Sequence, residues 1–262
     1  MRQEQFSQES LAEVREIARQ AGEEIMRIYD TRRVVVARKD DDSPLTAADL
    51  ASHRHIAGEL DRRTPAIPVV SEEDADSQRH RRSDGTFWLI DPLDGTREFM
   101  ARNGEFTVNI ALIHQGRPVF GVVYAPALRQ MYWGGVGSGA WRAQDDGAAE
   151  AIHVRTPAAP LRIVASKSHL NEDTRTFIAS LGSVTVVQAG SSLKFCRVAE
   201  GSADLYPRLS PTCEWDTAAA QAVLEGAGGV VVDRSGSPLR YGKPEVLNPS
   251  FVAAHSIAII PA

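Results

Sequence analysis

The stretch Trp88-Leu89-Ile90-Asp91-Pro92-Leu93-Asp94-Gly95-Thr96-Arg97-Glu98-Phe99 decides how the rest of the chain is read. Its apolar start reads as a buried strand that ends on a carboxylate, breaks at a proline, offers a second carboxylate and turns through Gly95-Thr96. Two acids at the buried end of a strand call for a cation, because each unpaired carboxylate costs several kcal/mol to desolvate. A strand holds alternate side chains on one face, and the bend at Pro92 lets Asp94 swing towards Asp91. The same bend frees the Leu93 carbonyl as a hard oxygen ligand. The stretch reads as half of a magnesium site.

Upstream, Leu11, Val14, Ile17, Ala18, Ala21, Ile25 and Ile28 follow helical spacing and predict a long amphipathic helix. Val34-Val35-Val36 predicts a short strand. A second helix begins near Thr46, with Asp49 three residues on in the capping-box pattern. Capping by itself accounts for Asp49, and a solvated loop accounts for the acids Asp40 to Asp42. Ile67 to Val70 predicts a strand running into Glu72-Glu73, and the polar segment Asp74 to Asp84 an exposed loop. Two strands adjacent in sequence thus both finish on acids.

Downstream, Phe106–Ile113 and Pro118–Tyr124 flank Gln115-Gly116-Arg117 and predict an antiparallel hairpin. Met131–Trp133 and Gly139–Trp141 continue the meander. Asp145 to Glu150 reads as a loop, and Thr156 to Pro160 as a linker, dividing the chain into 1–158 and 159–262. Beyond it strands and helices alternate. Strands are expected at 162–165, 184–187, 203–206, 230–232 and 251–254, with helices over 173–181, from Ser191-Ser192, and from Asp216 to Ala227. The first part is α+β with an antiparallel sheet and the second alternating α/β.

Composition narrows the function. Of 262 residues, 43% are hydrophobic and 24% charged, an ordinary globular balance. A net charge of -5 gives no global attraction to nucleic acid or anionic membrane, so a polyanionic substrate needs local cations. The polar Met1 to Ser10 segment lacks the apolar core of a secretory signal, and no apolar run approaches the roughly 20 residues of a membrane span. Two cysteines, Cys196 and Cys213, lack metal-type spacing and read as buried thiols rather than a disulfide. A cytoplasmic protein is expected, with loose peripheral membrane association left open.

Four carboxylates stand at predicted element ends: Glu72, Asp91, Asp94 and Asp216. Taken singly, three have structural explanations; Asp216, in Trp215-Asp216-Thr217-Ala218-Ala219, fits an ordinary N-cap. Asp94 has none, since the broken strand serves no evident packing purpose. Taken together, oxygen ligands without histidine or thiolate suit Mg²⁺ rather than zinc. Two such ions roughly 3.5–4 Å apart clamp a phosphoryl group and its attacking water. Gly95-Thr96 is expected to open a helical turn whose N–H groups face phosphate oxygens.

Asp91-Pro92-Leu93-Asp94-Gly95-Thr96 together with Trp215-Asp216-Thr217-Ala218-Ala219 resembles the paired signatures of the lithium-sensitive inositol monophosphatase-like superfamily, and Glu72 occupies that family's first ligand position. The resemblance covers essentially the whole chain. It implies a layered αβαβα sandwich of the sugar-phosphatase type. Lys39 to Asp49, Gly190-Ser191-Ser192-Leu193-Lys194-Phe195-Cys196 and Ala203 to Arg208 are similar to the CysQ-type 3'(2'),5'-bisphosphate nucleotidases. Those enzymes release the 3'-phosphate of adenosine 3',5'-bisphosphate in sulfate assimilation. Leu45, where valine is more usual, is a conservative departure.

By that resemblance Glu72, Asp91 and the Leu93 carbonyl hold one Mg²⁺, and Asp91, Asp94 and Asp216 a second; a third, near Glu72, is also known in the family. The nucleophile is water, oriented by Thr96, whose hydroxyl Asp49 accepts. Capping and catalysis are compatible in Asp49 because a carboxylate has two oxygens. Glu72, Leu93, Asp94, Gly95, Thr96 and Asp216 are also expected to front the substrate phosphate. Ser191 and Lys194 are expected at the nucleotide, with Arg208 a further cation; a helix cap and a surface lysine are the plainer account of the first two. Trp215 reads as core packing. The partner is a small phosphorylated nucleotide, including the sulfated analogue, and the assembly a monomer or homodimer. Two alternatives stand. One is an inositol monophosphatase or fructose-1,6-bisphosphatase with the same acids, and the other a non-catalytic metal- or nucleotide-binding regulator.

Overall fold

The apolar spacing near the N-terminus produces α1, Gln8–Asp30, which buries Val14, Ile17, Ala18, Ala21 and Ile25. The computed structural model describes residues 8–31, 36–38, 44–145, 147–166 and 171–261. Strand β1, Val36–Arg38, pairs antiparallel with β2, Pro44–Thr46. Val34 and Val35 of the predicted strand lie outside the described residues, as does the stretch from Lys39 through Asp40, Asp41 and Asp42 to Ser43. Helix α2, Ala47–Arg63, begins as the capping box requires. Thr46 Oγ1 accepts from Ala48 N–H at 3.2 Å, and Asp49 Oδ2 accepts from Thr46 N–H at 2.9 Å.

Strand β3, Val69–Ser71, leads to Glu72. The following polar segment is not a plain loop: Ala75–His80 forms a 3₁₀ helix because Asp74 accepts from the N–H groups of Asp76 and Ser77, and Ser77 is buried. Strand β4, Thr86–Asp94, outruns its expected end on the first carboxylate, passing through Pro92 with a register shift between Asp91 and Asp94. Gly95, at φ 90° in the left-handed region, turns the chain into α3, Thr96–Met100. The meander continues with β5 (Thr107–His114), β6 (Arg117–Ala125), β7 (Gln130–Gly135) and β8 (Gly139–Gln144). A short β9, Glu150–Ile152, starts on the last residue of the expected loop. The seven strands lie in the order β3-β4-β5-β6-β7-β8-β9, with β3 parallel to β4 and the others antiparallel.

The second half alternates as its periodicity implies: β10 (Leu161–Ser166), α4 (Glu172–Ser180), β11 (Val184–Ala189), α5 (Leu193–Ala199), β12 (Leu205–Arg208), α6 (Glu214–Gly226), β13 (Val230–Asp233) and β14 (Phe251–Ala254). Its five strands lie in the order β11-β10-β12-β14-β13. Helix α6 starts two residues before the expected Asp216, because Cys213 takes the cap and Asp216 falls at the third helical position.

Five layers result. One face of the seven-stranded sheet buries Trp88, Ile90, Leu112 and Val122 against α1 and α2. Its other face packs Phe87, Leu89, Ala111 and Val123 with α5 and α6, which also meet Tyr206, Val231 and Phe251 of the second sheet. The far face of that sheet holds Phe177 of α4 against Ile163, Leu205 and Val252. The arrangement is αβαβα. In sequence the seven-stranded sheet ends at Ile152 and the five-stranded sheet begins at Leu161, while the central helical layer is common to both. At Gly121 of β6 a Cβ would lie 2.1 Å from the Ala219 carbonyl oxygen, so glycine there lets α6 seat directly on the sheet. No described helix is long and apolar enough to cross a membrane.

Candidate active site

Parallel pairing sets Ser71 beside Ile90, so β3 and β4 deliver Glu72 and Asp91 to the same sheet end. Glu72 N–H donates to the Ile90 carbonyl at 3.3 Å. At the bulge the Leu93 N–H folds back onto Asp91 Oδ1 at 3.1 Å, and Ser52 Oγ of α2 donates to the Pro92 carbonyl at 2.7 Å. These bonds hold the proline-broken turn that carries Asp94. Carboxylate oxygens of Asp91, Asp94 and Asp216 lie within 4.8 Å of one another. Glu72, half-buried at the same sheet end, stands outside that group of three.

Asp94 reaches across to the second half of the chain. Its Oδ2 accepts from Ser191 Oγ at 2.5 Å, Ser192 N–H at 2.8 Å, Ser192 Oγ at 2.7 Å and, at 3.5 Å, Asn109 Nδ2. Since Ser191 spends its hydroxyl proton on Asp94, Thr107 Oγ1 at 2.5 Å is the donor to Ser191. Four donors on Oδ2 leave Oδ1 for a cation. Cys213 N–H holds Asp216 Oδ2 at 2.7 Å. Burial, with the charges of Asp94 and Glu72 added, pushes the Asp216 carboxyl up to about 8. Three acids so close cannot all stay ionised without a counter-charge, and oxygens with no imidazole or thiolate suit a hard divalent cation. The donor set fits that group.

Asp49 is 1% exposed. Its Oδ2 serves the cap, accepting also from Thr46 Oγ1 at 2.5 Å, while Oδ1 accepts from Thr96 Oγ1 at 3.4 Å. One carboxylate thus meets both the cap residue and the Thr96 hydroxyl.

A cleft of about 270 Å³ is lined by Asp94, Gly95, Thr96, Lys194, Arg208 and Asp216 among others. Lys194 is no surface lysine. It is 6% exposed and donates to the Ser191 carbonyl at 2.6 Å. Burial pulls its ammonium down to about 8 against the raising pull of Asp94. Arg208 donates through Nη2 to the Pro211 carbonyl at 3.1 Å, and its buried Nε has no partner. Ser191, at φ 50°, precedes the Ser192 cap of α5. Trp215 packs against the central core, as expected; the two cysteines form no disulfide, and of the two expected buried thiols Cys196 is buried but Cys213, at the cap of α6, is half-buried.

Ser52, Asn109 and the Ser192 contact to Asp94 were not singled out by sequence. Ser52 sits three residues after Asp49, on the same helix face, and Asn109 faces Asp91 across the β4–β5 pairing.

Comparison with known proteins agrees with this geometry. The model of the inositol monophosphatase family matches residues 7–260. The 3'(2'),5'-bisphosphate nucleotidase CysQ of Salmonella typhimurium is 50% identical over 243 residues, 92% of this chain and 98% of that protein. The protein of the same description from Escherichia coli K12 is 49% identical over the same shares. A crystal structure of CysQ from Bacteroides thetaiotaomicron superposes with a TM-score of 0.83 at 40% identity, covering 95% of this chain and 98% of that one. With the two motifs folded into one carboxylate site and the match running from end to end, the chain belongs to the inositol monophosphatase family.

Proposed function

We propose that the protein is a Mg²⁺-dependent phosphatase that hydrolyses adenosine 3',5'-bisphosphate to AMP and phosphate; relatives 49–50% identical to it bear the name 3'(2'),5'-bisphosphate nucleotidase. The observation that carries this reading is one cleft lined both by Asp94, Thr96 and Asp216 and by the cations Lys194 and Arg208, with Asp49 accepting from Thr96 behind it. A substrate with two phosphates on one ribose needs both. Asp91, Asp94 and Asp216 would hold one Mg²⁺, and Glu72, Asp91 and the Leu93 carbonyl a second. Bound there, the cations stabilise charge on the phosphoryl oxygens and lower the pKa of water.

The rest falls to the chain. Because Thr96 gives its proton to Asp49, its oxygen lone pairs are left to accept from the attacking water and orient it. The clamp on Asp94 Oδ2 fixes that ligand before substrate arrives, so no reorganisation is needed in the transition state. Positioning of this kind supplies much of the acceleration in phosphoryl transfer. Ser191 and Lys194 would hold the nucleotide, with Arg208 charge-pairing to its second anionic group. The same reading puts the enzyme in the cytoplasm, as a monomer or homodimer. The deciding experiment compares phosphate release from adenosine 3',5'-bisphosphate and inositol 1-phosphate. We expect kcat/KM to favour the nucleotide strongly, and a preference for the inositol ester overturns the assignment.

A further inference from the structure

Glu214 opens α6 two residues before Asp216 and is fully buried. Four donors converge on its carboxylate. Gly242 N–H lies at 2.8 Å, Lys243 N–H at 3.1 Å, Lys243 Nζ at 2.6 Å and the Arg81 guanidinium at 3.4 Å. Arg81, itself nearly buried, also donates to the carbonyls of Lys243 at 2.6 Å and Pro244 at 3.3 Å and to Gln78 Oε1 at 3.0 Å.

Arg81 ends the 3₁₀ segment Ala75–His80, and that segment is fastened to β3. Ser71 N–H donates to Ser77 Oγ at 3.0 Å, and Gln78 Nε2 donates to the Ser71 carbonyl at 3.3 Å. Ser71 immediately precedes Glu72. A continuous path therefore runs from Asp216 through Glu214, Arg81, Gln78 and Ser71 to Glu72. Its purpose follows from the topology. Strand β3 has three residues and, among the described strands, lies at the edge of its sheet beside β4, so the sheet by itself fixes Glu72 weakly. A buried ion pair is a poor source of stability compared with apolar packing, so its value here is geometric. Arginine suits the task because its planar fork reaches a carboxylate and two carbonyls at once.

We propose that the buried Arg81–Glu214 pair is a positioning device that sets where Glu72 stands relative to Asp216, and thereby sets the affinity of the carboxylate site for its divalent cation. This rests on the phosphatase reading above, in which the carboxylates are the cation's ligands. The test is calorimetric titration of Mg²⁺ into the metal-stripped full chain, with circular dichroism and thermal melting of each variant. Arg81→Lys and Glu214→Gln should each weaken Mg²⁺ binding by about ten-fold or more, the range typical of groups that hold a metal's ligands in place. Arg82→Gln lies in the same segment but breaks only an exposed pair with Asp84, and should leave binding unchanged. Should Glu214→Gln fail to fold, Arg81→Lys decides, since it keeps the buried charge and removes the fork. Lower melting temperatures with wild-type Mg²⁺ affinity in the folded variants overturn the inference and leave the phosphatase reading intact. A wild-type chain that binds no Mg²⁺ overturns both.

Discussion

At the start of α2, Thr46 takes the cap and Asp49, three residues on, accepts from its N–H at 2.9 Å; at the start of α6, Cys213 takes the cap and Asp216 accepts from its N–H at 2.7 Å. The local device is the same: an acid at the third helical position accepts from the N–H of the cap residue. What differs is the company. The second oxygen of Asp49 meets the Thr96 hydroxyl, while the oxygens of Asp216 meet Asp91 and Asp94. A donor neighbour makes Asp49 an acceptor that aims a hydroxyl. Acidic neighbours make Asp216 a carboxylate that needs a cation. Chemistry is therefore assigned by tertiary contact to residues that local structure had already placed.

The sharpest way to break the comparison is to remove charge from each aspartate in turn. Asp216→Asn keeps an amide oxygen for the Cys213 N–H, so the helix start survives, but the cation loses a charged ligand. We expect phosphate release to fall by about 10³-fold or more, with Mg²⁺ binding weakened in parallel. Activity within ten-fold of wild type at saturating Mg²⁺ would sink the ligand assignment. Asp49→Asn and Thr96→Val act on water orientation instead. They should lower kcat by about 10²-fold while calorimetry finds Mg²⁺ affinity unchanged. Should Asp49→Asn weaken Mg²⁺ binding as much as Asp216→Asn, the distinction between the two helices collapses.

A pH series on the metal-stripped chain sharpens the contrast further. The Asp216 carboxyl is raised by burial and by Asp94 and Glu72, from the ordinary 3.8 to about 8. A group whose folded pKa lies above its unfolded value binds its proton more tightly in the folded state. Its stabilisation is complete below about 4 and is lost as pH rises towards about 8. The melting temperature of the chelated protein should therefore carry a falling component across that window. Asp216→Asn should remove it, and Mg²⁺ should reverse it by replacing the proton as counter-charge. A chelated Asp216→Asn variant with the wild-type slope would show that another group is responsible.

How far sequence reached follows the same division. The apolar strand leading into Asp91, the second acid after Pro92 and the cap at Thr46 were all legible, because each is written in neighbouring residues; that the strand continues to Asp94 was not. That two strands adjacent in sequence both finish on acids was legible as well, but their parallel pairing, which sets those ends side by side, was not. The clamp on Asp94 was not. Ser191 and Ser192 lie almost a hundred positions away, and no local pattern announces which carboxylate a serine will meet. The burial of Lys194 was hidden for the same reason: a lysine in the first turn of a helix looks solvated until tertiary packing, here with Tyr206 of β12 beside its ammonium, covers it. The cap of α6 was misplaced by three residues because a thiol is a weak acceptor and an aspartate nearby looks the better cap.

The gentlest perturbation tests whether cap and site are separable at all. Thr46→Ala deletes the hydroxyl that serves Ala48 N–H and Asp49 Oδ2, but leaves the Thr46 N–H and the Thr96 hydroxyl on the aspartate. Loss of a threonine cap costs about 1 kcal/mol. The variant should therefore unfold at lower denaturant by that amount, with kcat and Mg²⁺ affinity close to wild type. Cys213→Ala should cost less still, since the bond that holds Asp216 comes from the backbone and survives the substitution. If Thr46→Ala instead lowers kcat as far as Thr96→Val does, the cap is what aims Asp49. The two oxygens of that carboxylate would then be one mechanical unit rather than two independent duties.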